Sequence, residues 1–345
     1  MKKDFFPKLL LLLILVSIAI LVSLHLGSVK IPILNTAKIL LSTFPVLGEG
    51  IDLTGIDETE IFIVLDIRLP RIIMAGLVGA TLSLAGASFQ AVFNNPMADP
   101  YILGVSAGAA LGATVGIVLG VGTFGFAAIS VFAFTGAVLS SLLVFSLGRI
   151  GGKINTVSVL LAGVVVGAIL SSVTNFIMMM NQDNIHRIIA WTFGSFSAVT
   201  IEEVKYGWIF FVIGIILIMS LAKELNALVL GEELAQTMGI NTERTKLLVL
   251  GVSSLMTAMA VSISGIIGFV GLVVPHLMRI IFGSNHKRLM PATVFGGAFF
   301  LIFSDTISRS LLETQEVPVG IITSLLGGPF FIYLLRNSKK KTEGR

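Results

Sequence analysis

The stretch "GEELAQTMGINTERTK", residues 231–246, interrupts a sequence that is otherwise strongly apolar. It holds three glutamates and two cations, and it reads as a short helix that stops at Gly239. Apolar runs on both sides of it are candidates for crossing a bilayer. A polar helix set between two such runs implies a membrane bundle that keeps one element for contact with something outside the lipid.

Composition supports that frame. The 345 residues are 55% hydrophobic and only 12% charged, with a mean hydropathy of +1.00. Soluble domains carry about 25% charged residues, so most of this surface is expected to face lipid. There is no cysteine, which excludes disulfides and thiol chemistry. The net charge of +4 points to basic loops on one side of a membrane rather than to a nucleic-acid partner. The N-terminal run has a basic head, is long for a signal-peptide core and lacks an A-x-A-like cleavage site, so it reads as a retained first helix.

Ten apolar runs are candidate spans: 6–26, 72–93, 102–121, 126–147, 157–180, 207–221, 247–267, 269–281, 292–312 and 320–335. The fold class is all-α, a single polytopic domain over 1–345, with a coupling segment at about 228–246 and a flexible basic tail at 337–345. The eighth run is short and carries Gly268, Gly271 and Pro275, so a tilted or partly buried helix is expected there. With both termini on one side, that side collects 16 of the 23 Lys and Arg residues and the other side 7, which makes the first side cytoplasmic. The opening stretch, "FNNPMADP" and "GSNHKRLMP" then face the cytoplasm, while 27–65 and 181–206 face outward.

Several residues invite a role. Gly104, Gly108, Gly112, Gly116 and Gly120 recur every fourth residue, a face made for close helix approach or for lining a pathway. Asp99 before Pro100 reads as a helix cap. Asp305, Arg309 and Glu313 share one helix face, in the order that favours a local ion pair. Arg68 and Arg71, in "DIRLPR", run against the basic-inside bias at an outer helix mouth. Together with Arg309 they read either as snorkelling to lipid phosphates or as facing an acidic external partner. The four histidines show no metal-ligand spacing, and no P-loop or catalytic constellation occurs.

Taken in order, "RLPR", "NPMADP", "LGVSAGAALG", "GEELAQTMGI", "GFVGLVVPH" and "VPVGIITSLLGGPFF" resemble the FecCD-type permeases. These are the membrane subunits of bacterial ABC importers for iron–siderophores, haem and cobalamin. The resemblance runs from about residue 9 to 335. It implies a ten-span subunit that pairs with a second permease subunit, the same or homologous. Two separate ATPase subunits would bind below, carrying the ATP and magnesium, and a substrate-binding protein would dock above. This chain would bind no cofactor and catalyse nothing itself. The resemblance implies that Gly231, Glu232, Glu233, Ala235 and Gly239 belong to the ATPase-coupling helices, with Arg244 and Lys246 holding the next helix end at the interface. It also implies that Arg68 and Arg71, and with them Arg309, meet glutamates of the binding protein. The reading from another class is an ion-coupled secondary transporter, which would need buried ion ligands near the midplane.

Overall fold

The computed structural model describes residues 5–27, 29, 31–43, 48–124, 126–312 and 315–343. Glu313 lies outside the described residues, as do Lys2, Lys3, Lys30 and Arg345. In chain order the first helices are α1 (Phe5–His25), α2 (Ile33–Ser42), α3 (Glu58–Phe62), α4 (Leu69–Val92) and α5 (Val105–Val118). Next come α6 (Phe126–Leu147), α7 (Thr156–Met180), α8 (Ile185–Thr192), α9 (Ile201–Ser220) and α10 (Ala222–Leu228). The last five are α11 (Glu232–Thr237), α12 (Thr242–Ser264), α13 (Val270–Phe282), α14 (His286–Ser310) and α15 (Val319–Glu343). A small antiparallel hairpin, β1 (Arg149–Ile150) and β2 (Lys153–Ile154), joins α6 to α7.

The ten apolar runs correspond to α1, α4, α5, α6, α7, α9, α12, α13, α14 and α15. Among the described residues, six of these are long and apolar enough, by length and composition alone, to cross a membrane. The chain is an all-α, multi-pass membrane protein. The loops alternate between two ends of the bundle. One end carries 93–99, the β1–β2 hairpin, α10–α11 and 283–285, and is called the hairpin end. The other carries α2, α3, α8, 311–312 and 315–318, and is called the α8 end. The last helix runs on through 337–343.

At the centre stands α4, with 20 of its residues buried. Small side chains let it be surrounded. A Cβ on Gly79 would run into the carbonyl of Gly297 on α14, and one on Gly86 into the carbonyl of Gly271 on α13. Ser83 donates to the Thr293 carbonyl of α14 at 2.7 Å. Such backbone-to-backbone approaches replace the hydrophobic driving force that lipid removes.

The glycine row of α5 does the same against α6. A Cβ on Gly108 would meet the Gly136 carbonyl, and one on Gly112 the Phe132 carbonyl. A Cβ on Gly116 would lie 3.3 Å from the Phe132 side chain. Gly104 faces α6 too, from the cap of α5 at φ +72°: a Cβ there would lie 2.6 Å from the Ser140 hydroxyl, which donates to the Gly104 carbonyl at 2.9 Å. The glycines therefore form a packing face, and α5 is shorter than the run that predicted it.

The eighth run behaves as its glycines and proline suggest. Residues 265–268 are irregular, Gly265 and Phe269 take positive φ of +69° and +68°, and the 13 residues of α13 follow with Pro275 inside. At 1.5 Å per residue this helix spans about 20 Å, short of the hydrocarbon core. Protein covers the irregular part: Tyr101 donates its hydroxyl to the Ile267 carbonyl at 2.9 Å.

Candidate functional site

At the hairpin end, α10 and α11 are separated by a sharp turn. Gly231 sits at φ +113° and Gly239 at φ +81°, backbone that other residues adopt only with strain. Glu232 and Glu233 occupy the first turn of α11, where the helix dipole favours negative charge. Ala235 is fully buried and anchors the short helix from beneath. Leu230, Leu234 and Met238, four residues apart, are bare at 53 to 59% exposure. The segment thus presents an apolar stripe bordered by acids, in a shape suited to resting in the cleft of another protein.

It is fastened from behind. Lys246 of α12 is buried, and its ammonium meets Glu232 at 2.5 Å and Glu243 at 3.5 Å. Glu243 also accepts from the Ile154 N–H at 2.9 Å, which ties in the β1–β2 hairpin. Gln236 reaches Thr242 at 3.1 Å. Lys246 was expected to reach an interface. Instead it turns into the protein, because two carboxylates and the hairpin enclose it. Asn241 caps α12 through the Arg244 N–H at 3.0 Å.

Also near this end, Asp99 accepts from the Tyr101 N–H at 2.8 Å, as a cap should. Burial pushes its carboxyl up to about 6, partly offset by that hydrogen bond.

The α8 end departs from expectation. Arg68, Arg71 and Arg309 were expected to project from an outer rim, and all three are buried. Arg68 donates to the carbonyls of Leu24, His25 and Val29 at 2.6, 3.0 and 2.5 Å. Arg309 donates to the Leu26 carbonyl at 2.7 Å, and to the Ser23 carbonyl and hydroxyl. The last carbonyls of α1 have no partner within their own helix, and two guanidiniums supply the donors. Gly27 leaves room for this, since a Cβ there would lie 2.7 Å from the Arg68 guanidinium.

Arg71 does different work. Its guanidinium grips Asp305 at 2.9 Å and Glu316 at 2.8 Å, linking α4 to α14 and to the loop after it. Asp305 also faces Arg309 at 3.5 Å, the i,i+4 pair that the spacing implied. A wide turn over Ile63–Arg68 feeds α3 into α4, so Pro70 sits in a continuing helix rather than at a helix start. The three arginines lock helix ends together and present no free charge.

The 193–200 loop closes the same end. Ser195 N–H donates to the Ser264 carbonyl at 2.8 Å, and Val319 and Gly320 donate to Gly194 and Phe193 at 3.0 and 3.1 Å. These backbone bonds join the start of α15, the end of α12 and the segment after α8. No motif in the sequence announced them.

The comparisons with known proteins agree with this layout. The family model described as the FecCD transport family matches residues 13–337. The cobalamin import system permease protein BtuC of Halobacterium salinarum is 42% identical over 82% of this chain and 76% of its own length. The hemin transport system permease protein HmuU of Yersinia pestis is 36% identical over 84% and 88%. A solved metal-chelate-type ABC transporter in an inward-facing conformation superposes with a TM-score of 0.81 at 30% identity, covering 96% of this chain and 99% of that one. On the family match, these identities and the shared helical layout, the chain belongs to the FecCD transport family of ABC transporter permeases.

Proposed function

We propose that this chain is the membrane subunit of an importer that moves an iron–siderophore complex, haem or cobalamin into the cytoplasm. Separate ATPase subunits drive it. One observation carries the reading: a short helix with a bare Leu230–Leu234–Met238 stripe, fastened by a buried lysine to a long membrane helix. A cytoplasmic ATPase that moves this helix moves α12 with it. The hairpin end is then cytoplasmic, as are both termini, which agrees with the excess of Lys and Arg there. The relatives' names supply the substrate range.

A second permease subunit, the same or homologous, would cover α7, whose 25 residues include only four buried ones. A binding protein would meet the α8 end. Arg68, Arg71 and Arg309 would serve that contact by fixing the shape of the rim rather than by touching the partner. The ion-coupled alternative finds little support, because Asp305 is already committed to two arginines.

The test is uptake in proteoliposomes that contain this chain and its cognate ATPase and binding protein. Transport should require ATP and be blocked by vanadate. Leu234→Asp with Met238→Asp should leave the chain folded in the membrane and abolish ATPase co-purification. Uptake driven by an ion gradient without ATP would overturn the reading.

A further inference from the structure

The geometry points to a binding site for one anionic phospholipid in the groove between α6 and α12, on the leaflet that meets the hairpin end. This site does not depend on the transport reading. It needs only that the chain spans a bilayer.

The groove has a volume of about 310 Å³ and is walled by Val138, Leu142, Phe145, Leu247 and Leu255. Its width depends on one missing side chain. Gly251 lines it on the α12 side, and a Cβ built there would meet nothing within 4 Å. Deeper in the wall, Ser254 is buried with a hydroxyl that has no hydrogen-bond partner. An ester carbonyl of a glycerolipid provides the acceptor that the protein does not, and a buried unpaired hydroxyl is costly to leave.

Charge selects the occupant. Arg149 stands at the mouth of the groove, exposed, at the first residue of the hairpin. Arg244 is also exposed, and it precedes Leu247 and Gly251 by three and seven residues, which places it on the same face of α12. Two cations above an apolar slot match a phosphate headgroup above an acyl chain. The other end of the same seam has the opposite character. There a cavity of about 550 Å³ between α6, α9 and α12 opens beside Glu202 and Glu203. An anionic headgroup is repelled at that mouth and attracted at this one.

The experiment is native mass spectrometry of the full chain in detergent, titrated with phosphatidylglycerol or phosphatidylcholine. Phosphatidylglycerol should bind at a concentration on the order of tenfold lower than phosphatidylcholine, the preference expected for two cations near a headgroup. Arg149→Ala with Arg244→Ala should erase that preference. Both residues are exposed, so the variant tests the site without disturbing the fold. Gly251→Leu should reduce occupancy by both lipids, because it fills the slot. Equal binding of the two lipids by the unaltered chain overturns the proposal, and so does a preference that survives the double variant. A second copy of the chain could cover the groove instead. The chain has no cysteine, so Leu142→Cys provides a clean probe. A disulfide between two copies in native membranes would overturn the lipid assignment.

Discussion

Arg71 and Arg309 at the α8 end share Asp305, and all three side chains are buried. Lys246 at the hairpin end is just as deeply buried, yet its partners Glu232 and Glu243 reach toward water. The first cluster is closed at its centre, where helix carbonyls and the buried Asp305 surround the guanidiniums, and only Glu316, 43% exposed, reaches water. The second is closed behind and open in front. A closed cluster fixes geometry, since removing its buried acid strands a charge. A cluster with one solvated side can exchange or adjust partners at modest cost, which suits a segment that another protein must grip. On the proposed function, the difference separates a part of the molecule that stays put from a part that moves.

The largest effect should come from the closed cluster. Asp305→Ala leaves Arg71 and Arg309 facing each other without their shared acid, and should cost about 3–5 kcal/mol. The measurement is folded yield by size exclusion in detergent, and normal yield would dissolve the distinction between the two ends. Next is an acid without a cation. The Asp99 carboxyl is raised to about 6 by burial, above its unfolded value. Between about pH 4 and pH 6 the folded state therefore holds more protons than the unfolded one, and stability falls as pH rises through that window, by about 2 kcal/mol. Melting in detergent at pH 4.5 and pH 7 should show the loss, and Asp99→Asn should flatten it.

Lys246→Met should be milder, about 1 kcal/mol, because the glutamates it releases are already solvated. Its signature is functional: ATPase stimulation by the binding protein should drop several-fold while folded yield holds. A collapse of yield would mean that both clusters are rigid. The smallest effect belongs to Glu316→Gln. Its side chain is 43% exposed, and the change should cost under about 1 kcal/mol.

The sequence made some of this plain and hid the rest for physical reasons. Ten spans were legible because lipid demands length and apolarity at every crossing. The short helix at Glu232–Thr237 was legible because polarity in such a chain has to be accounted for. Arg68 and Arg309 were singled out as residues needing a reason, but most of their partners are backbone carbonyls at and just beyond the end of α1, and a carbonyl leaves no mark in a sequence. The contacts of α4 were missed for a related reason. Gly79 and Gly297 meet across two helices, and a search for glycine spacing within one helix does not pair them. The hairpin at 149–154 is too short for alternation to reveal, and α2 and α3 lie in a segment read only as external.

The capping of α1 by Arg309 also sets a timetable. Ser23 and Arg309 are 286 residues apart. At roughly 5–20 residues per second, about 15–60 s of synthesis separate the two. During that interval the first helix is already inserted, with part of its end unfastened. The ribosome delivers the second clasp only with α14, so a chain truncated before Arg309 carries an N-terminal helix held at Leu24 and His25 by Arg68 and unfastened at Ser23. Quality-control proteases that survey the bilayer would then have a loose end to seize, and completion of the polypeptide would be what removes it.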